Sequence, residues 1–173
     1  MSEHNHQHDH HHHEEEVSKY EKTLQQYTIE LDDAQVQQAV KTIIAEKTLA
    51  NDTPEVKKFL FGSIELTTLS TTDSDTSVMA FVDRVNQFES TYPQLPHVAA
   101  VCVYPCFAEV ASETLEVEGV EVTCVSGSFP SSQAVIEVKV AETALAVRDG
   151  ATEIDIVMPV GKFLSGDYEG VCD

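Results

Sequence analysis

Apolar residues are distributed along the chain in two alternating patterns, short continuous runs and longer stretches with a helical period. The short runs predict four strands, at residues 60–66, 98–103, 121–126 and 153–158. The stretches between them predict helices at residues 75–91, 107–117 and 131–150. One further helix precedes the first strand and begins near Asp32 or Asp33. Its apolar face consists of Val36, Ala39, Val40, Ile43 and Ile44.

Strands that alternate with helices predict a parallel sheet, because parallel neighbours must be joined by a crossover. The strands are nearly continuous in apolar residues, which is typical of a sheet covered on both faces. A doubly wound sheet and a (β/α)8 barrel both fit this pattern. No G-x-G-x-x-G follows the first strand and no G-x-x-x-x-G-K-[ST] occurs. The pattern therefore does not favour a dinucleotide site or a P-loop.

Composition narrows the classes of partner. The chain has 173 residues and a formal net charge of -20, which argues against nucleic acid as a partner because phosphate binding needs a basic surface. No apolar run reaches the roughly 18 residues that span a bilayer. The N-terminus also lacks the basic-then-apolar order of a signal peptide. We therefore expect a cytoplasmic protein that does not associate with membranes.

Residues 1–16 form a segment of low complexity with seven histidines. Such a segment cannot pack a core, so we expect it to be a disordered tail, and we expect residues 17–173 to form the folded domain. Histidine-rich tracts bind transition metals, as a purification tag also would. Within the domain, Cys102 and Cys124 lie in apolar runs and are expected to be reduced and structural. No cysteine set with zinc spacing is present, so we predict no metal site there.

The carboxyl ends of parallel strands are where chemistry is expected. The last predicted strand carries Asp155 between two isoleucines, and alternation places Asp155 on the same face as Glu153. In a buried strand this acid is a structural hydrogen-bond acceptor, a general acid and base, or the partner of a buried lysine. The turn at residues 126–130 contains small residues that could approach an anion, although an ordinary turn explains it equally well. Lys162 follows in a predicted surface loop.

Four segments resemble, in order and spacing, the first half of deoxyribose-phosphate aldolase. These segments are ELTTL, AAVCVYPCF, VSGSFP and EVKVAETALAVRDGATEIDIVMPVGKFLSGDY, and the resemblance covers residues 60–173. It implies a (β/α)8 barrel of which about four β/α units are present. It also implies a class I aldehyde-lyase of deoxynucleoside catabolism that needs no cofactor. Such enzymes reversibly cleave 2-deoxy-D-ribose 5-phosphate to glyceraldehyde 3-phosphate and acetaldehyde through a lysine Schiff base.

The resemblance also assigns roles to individual residues. Asp155 corresponds to the aspartate that donates and accepts protons, while Thr67 and Cys102 correspond to residues that line the substrate cavity. Glu65 stands where family members often carry aspartate, so its role stays open. In the family the Schiff-base lysine lies on the sixth strand and the phosphate site on the last loops. We therefore expect this chain to be an incomplete barrel that is inactive alone and associates as a homodimer or belongs to a longer protein.

Two alternatives remain at this point. The chain could be a non-catalytic half-barrel that binds a partner, or a metal through its histidine-rich tail. It could also belong to a different phosphate-binding barrel enzyme, if the resemblance of the E-I-D-x-V segment is accidental.

Overall fold

The computed structural model describes residues 19–27 and 31–173, so the predicted tail at 1–16 lies outside the described residues. The strands are β1 (Glu65–Thr67), β2 (Ala100–Val103), β3 (Glu121–Ser126) and β4 (Glu153–Ile156). The longer helices are α2 (Asp33–Asn51), α3 (Pro54–Phe61), α4 (Asp75–Asn86), α6 (Ala108–Thr114) and α7 (Ile136–Arg148). The shorter helices are α1 (Lys19–Leu24), α5 (Phe88–Thr91), α8 (Val160–Leu164) and α9 (Tyr168–Cys172), with a 3-10 turn at Pro105–Phe107 before α6.

The four strands form one parallel sheet in the order β1-β2-β3-β4. Each strand is therefore hydrogen-bonded to the next strand along the chain. A doubly wound sheet would reverse its order at a switch point, whereas a (β/α)8 barrel adds its strands in sequence. The strand order thus separates the two architectures that the sequence pattern leaves open, and it favours the barrel.

The core lies between the sheet and the helices on its outer face. Alternate strand residues face this core, among them Val101, Val103, Val122 and Cys124. Helix α4 contributes four buried side chains, whereas α6 and α7 contribute buried alanines, which allow close approach to the sheet. The opposite, inner face of the sheet carries the remaining strand residues, and it holds the predicted site.

Helix α2 begins where the sequence predicts. Asp32 is its N-cap and forms a capping box with Gln35, because each side chain accepts a hydrogen bond from the other residue's backbone N–H. None of its residues is buried, and its apolar face is exposed in the described part of the chain. None of the described helices has the length and hydropathy of a transmembrane span.

The first predicted strand is wrong at its start. Residues 60 and 61 end helix α3, and the strand is confined to Glu65–Thr67. The helix forms because Thr53 caps it by accepting a hydrogen bond from Val56, and Pro54 occupies its first position, where no N–H is needed. The apolar residues 59–61 therefore belong to the end of helix α3 rather than to a strand.

Two later elements are also shorter than predicted. Strand β4 ends at Ile156, and helix α7 begins at Ile136 rather than near residue 131. Ser132 has a φ of 56°, a left-handed conformation that a helix cannot include. At its other end α7 stops at Arg148, before Gly150 with its φ of 109°.

Candidate active site

The three residues predicted to form the site lie on the same face of the sheet. Thr67 of β1 is paired with Cys102 of β2, which in turn is paired with Thr123 of β3. Asp155 of β4 is paired with Val125, two residues beyond Thr123 and hence on the same face. All of them belong to the inner face, because the intervening residues pack on the helices. The structure therefore brings the predicted site residues to one surface.

The thiol of Cys102 is held in its protonated form. The residue is 1% exposed, and burial is the largest cause that raises the pKa of its thiol. The negative charges of Glu65 and Asp155 also raise this pKa, a side-chain hydrogen bond with Thr67 lowers it, and the result is a pKa of about 11. A neutral thiol is a poor nucleophile. Cys102 is therefore suited to lining a cavity rather than to attacking a carbonyl.

Asp155 is exposed, so the prediction that it lies in a buried strand is wrong in this respect. Strand β4 is an edge strand of the described sheet, and its backbone is paired with β3 on one side only. Within residues 19–27 and 31–173, the Asp155 side chain makes no hydrogen bond or ion pair. Its carboxylate is therefore open to solvent and to a ligand.

Glu153, two residues earlier on the same face, has a different environment. Its carboxylate accepts a hydrogen bond from the Thr123 hydroxyl at 3.1 Å, across the β3–β4 pair. One acid of the E-I-D-I segment is thus engaged with the neighbouring strand, whereas the Asp155 carboxylate has no such partner among the described residues.

The aliphatic face of β4 only partly meets the helices, contrary to the sequence-based prediction. Ile154 packs against the core, but Ile156 is 67% exposed and Met158 is 44% exposed. The outer surface between α7 and the C-terminal residues is a cavity of about 490 Å³ rather than packed core. The end of β4 is therefore open on both faces.

The turn at residues 126–130 uses its donors internally. The backbone N–H of Ser128 donates to the Glu142 carboxylate at 2.8 Å, and the hydroxyls of Ser126 and Thr143 are 2.6 Å apart. Gly127 has a φ of 75°, and a Cβ there would lie 3.3 Å from the Val157 carbonyl oxygen. Of the two interpretations of this turn, the structure favours a structural βα turn stabilised by helix α7.

Sequence reasoning did not assign roles to Lys139 and Glu142, although their K-x-x-E spacing contributed to the resemblance. The Lys139 ammonium group donates to the Ser132 hydroxyl at 2.7 Å. Together the two side chains contact the loop between β3 and α7 at two positions, Ser128 and Ser132. The spacing places them one turn apart on a helix, and this was the signal that could have identified them.

The described residues contain no candidate metal centre. In this part of the chain, no three His, Cys, Asp or Glu side chains lie within reach of a common metal ion. Lys162 lies in the short helix α8 rather than in a loop, and its Nζ is 3.5 Å from the Asp167 carboxylate. Its side chain is 52% exposed.

Comparisons with known proteins concern the family and the fold of the chain. No protein-family model matches the chain. It is 36% identical over 149 residues to the "Putative deoxyribose-phosphate aldolase" of Caenorhabditis elegans, which covers 83% of this chain and 48% of the relative. It is 45% identical over 73 residues to the deoxyribose-phosphate aldolase of Caldanaerobacter subterraneus subsp. tengcongensis, covering 42% of this chain and 31% of the relative.

A solved structure, the aldolase QR15, superposes with a TM-score of 0.55 at 33% identity. The superposition covers 69% of this chain and 47% of that one. The chain thus spans about half the length of these three proteins, or less. The predicted fold class is confirmed: the four units are those of an incomplete α/β barrel. The chain is a homologue of the deoxyribose-phosphate aldolases and corresponds to part of their length.

Proposed function

We propose that this chain forms the proton-transfer side of a deoxyribose-phosphate aldolase site. The reaction is the reversible cleavage of 2-deoxy-D-ribose 5-phosphate to glyceraldehyde 3-phosphate and acetaldehyde. The proposal is supported chiefly by one observation: the Asp155 carboxylate has no partner among the described residues and lies on the same inner face as Thr67 and Cys102. An unpaired carboxylate at the carboxyl end of a barrel strand can accept and return a proton.

In the proposed chemistry a neutral lysine amine attacks the sugar aldehyde to form a carbinolamine. The carbinolamine then loses water to give the Schiff base. Asp155 receives the proton that leaves the substrate hydroxyl as the carbon–carbon bond breaks, directly or through a water, and later returns it. Thr67 and Cys102 provide a small wall for the substrate carbon chain. We assign the nucleophilic lysine and the phosphate site to a segment outside this chain, so the chain alone should be inactive.

The same proposal includes the surroundings of the enzyme. The sugar phosphate is its small-molecule partner, and we infer a cytoplasmic location. Strands β1 and β4 have a free edge in the described sheet, and such edges favour pairing with another chain. We therefore propose that the isolated chain associates as a homodimer through these edges.

A chimera tests the proposed role of Asp155. The matching 149 residues of the Caenorhabditis elegans relative are replaced by those of this chain, and cleavage of 2-deoxy-D-ribose 5-phosphate is measured. We expect Asp155→Asn to lower kcat by about 100-fold or more, as for loss of a general acid and base. The matched control Glu153→Gln changes the neighbouring acid on the same strand and should stay within a few fold. Equal activities of the Asp155→Asn variant and the parent chimera would contradict the proposal.

The isolated chain provides a second test. It is incubated with acetaldehyde and borohydride, which reduces any Schiff base to a stable N-ethyl lysine. We expect no stoichiometric adduct in the mass spectrum. A stoichiometric adduct on Lys139 or Lys162 would show that this chain contains the nucleophile, and would overturn its assignment to another segment.

A further inference from the structure

A polar cavity of about 440 Å³ lies between the loop that follows β3 and the segment that follows β4. Its lining includes the two lysines Lys139 and Lys162, together with Ser132 and Gln133. Ser165 also lines it, but its hydroxyl donates to the Lys162 carbonyl oxygen at 2.8 Å. The aldolase proposal uses none of these side chains. The cavity lies beyond the carboxyl ends of the last two strands, where ligands of parallel α/β folds bind.

The charges around this cavity differ from those of the rest of the domain. Residues 59–173 contain eighteen acidic residues against two arginines, Arg84 and Arg148, and two lysines, Lys139 and Lys162. Both lysines line this cavity. They come from different elements, α7 and α8, and are 23 positions apart along the chain. Such convergence concentrates positive charge at one place on a strongly acidic surface, where an anion can bind.

Lys139 is positioned before any ligand binds. Its ammonium group donates to the Ser132 hydroxyl at 2.7 Å, and Ser132 is only 4% exposed. An ammonium group has three donors, so two remain after this contact. Ordering the side chain through a buried serine reduces the entropy that a ligand contact would otherwise lose.

Lys162 is held less firmly, by an ion pair whose partners are about half exposed. Its Nζ is 3.5 Å from the Asp167 carboxylate, and such a surface pair contributes little to stability. Glu142 lies three residues after Lys139 in α7, and its carboxylate already accepts a hydrogen bond from the Ser128 backbone N–H at 2.8 Å. The Gln133 side-chain amide adds a neutral donor. Its nitrogen lies close to Gly161 in the segment after β4, 3.8 Å from the position that a Cβ would occupy on that glycine.

We propose that this cavity binds a phosphate group between Lys139 and Lys162. Two ammonium groups with hydroxyl and amide donors match the several acceptor oxygens of a phosphate. The volume is large enough for a small phosphate monoester as well as for the free ion. The site uses residues separate from Asp155, Thr67 and Cys102, so it stands or falls independently of the aldolase proposal.

The proposal is tested on the isolated chain by ¹H–¹⁵N NMR titration with inorganic phosphate, at constant ionic strength maintained with chloride. We expect saturable shifts at the amides of Gln133 and Ser165. Lys162→Gln should weaken binding about tenfold, as for loss of one charge-assisted contact. The matched control is Lys57→Gln, which changes another exposed lysine that is ion-paired with an aspartate, and it should leave binding unchanged.

Asp167→Asn gives a prediction of opposite sign. It removes the competing charge beside Lys162 while an asparagine can still cap α9 by accepting from the Gly170 N–H, so phosphate should bind more tightly. A second titration with glycerol 3-phosphate identifies the form of the ligand: tighter binding than phosphate favours a monoester, and equal or weaker binding favours the free ion. Shifts that do not saturate, or equal weakening by Lys57→Gln and Lys162→Gln, would overturn the proposal.

Discussion

Thr67 on β1 and Cys102 on β2 are paired in the sheet, and their side chains are hydrogen-bonded. Burial and the charges of Glu65 and Asp155 raise the pKa of the Cys102 thiol, whereas the hydrogen bond with Thr67 lowers it. Thr67 is exposed on the edge strand of the inner face, whereas Cys102 on the next strand is buried. With a pKa of about 11, only about one Cys102 thiol in a thousand is ionised at pH 8. Burial is thus the main cause of the protonated state of this thiol, and its neighbours on the same face modify it.

Alkylation by iodoacetamide should reveal this state. We expect the rate at Cys102, followed by mass spectrometry, to rise about tenfold per pH unit up to pH 10, because the thiolate is the reactive form. Thr67→Val should slow the reaction further by removing the hydrogen bond, whereas Thr67→Ser, which keeps the hydroxyl, should not. A rate at Cys102 that already levels off below pH 9 would contradict the raised pKa.

The buried thiols should also make the fold sensitive to alkali. The pKa of Cys124 is raised to about 12 by burial and that of Cys102 to about 11, from an unfolded value of 9.0. Above pH 9 the unfolded chain therefore binds fewer protons than the folded one, and the free energy of unfolding falls as pH rises. Below pH 9 this contribution is fully present and constant.

Urea denaturation between pH 8 and pH 11 measures the effect. In Cys124→Ala the free energy of unfolding should fall less steeply with pH than in the parent chain. The reason is that this variant lacks one of the two buried thiols with a raised pKa. The control Cys172→Ala changes an exposed cysteine and should leave the slope unchanged. If Cys124→Ala and the parent chain declined in parallel, the buried thiol would not be the cause.

Gly150 should tolerate no side chain. Its φ is 109°, and a Cβ there would lie 2.6 Å from the Cβ and Oγ of Ser112. We expect Gly150→Ala to lower the free energy of unfolding by about 2–4 kcal/mol, through backbone strain and steric overlap together. Gly119 is the matched control, because its φ is 80° but nothing lies within 4 Å of its Cβ position.

Gly119→Ala should therefore cost only the backbone strain, about 1 kcal/mol. Thermal denaturation of the two variants compares these costs directly. Equal destabilisation would show that contact with Ser112 adds nothing at Gly150.

Glu142 should stabilise the loop between β3 and α7 through its acceptor oxygens. Glu142→Ala removes the acceptor of the Ser128 N–H, and we expect a loss of about 1–3 kcal/mol in the free energy of unfolding. Glu142→Gln keeps one carbonyl oxygen and should lose less. Urea denaturation distinguishes the two, and an equal loss in both variants would indicate that charge rather than the hydrogen bond matters.

The strand pattern and the site face could be read from the sequence because both depend on local alternation. Residues 121–126 were predicted as a strand and are β3, and Asp155 and Ile154 are on opposite faces as the period of two requires. The exposure of Asp155 could not be read in this way. It depends on what covers the inner face of β4, which is a property of the whole sheet rather than of the E-I-D-I segment.

The wrong start of the first predicted strand is explained by two competing sequence signals, an apolar run and a helix cap. Phe59, Leu60 and Phe61 have the composition of a strand, yet Thr53 and Pro54 begin a helix that includes them. The capping signal lies five or more residues before the apolar run and outweighs it. Similarly, Lys139 and Glu142 resemble ordinary surface residues of a helix until the loop that they bind is located in three dimensions.

The consecutive order of the strands also affects how the domain forms. Neighbouring strands pair Glu65 with Ala100, Ala100 with Glu121, and Thr123 with Glu153. The separations of 35, 21 and 30 positions keep the contact order of the sheet low for a parallel fold, and low contact order favours rapid folding. Each strand can therefore add to a neighbour already synthesised, so that folding can proceed from the N-terminus during translation.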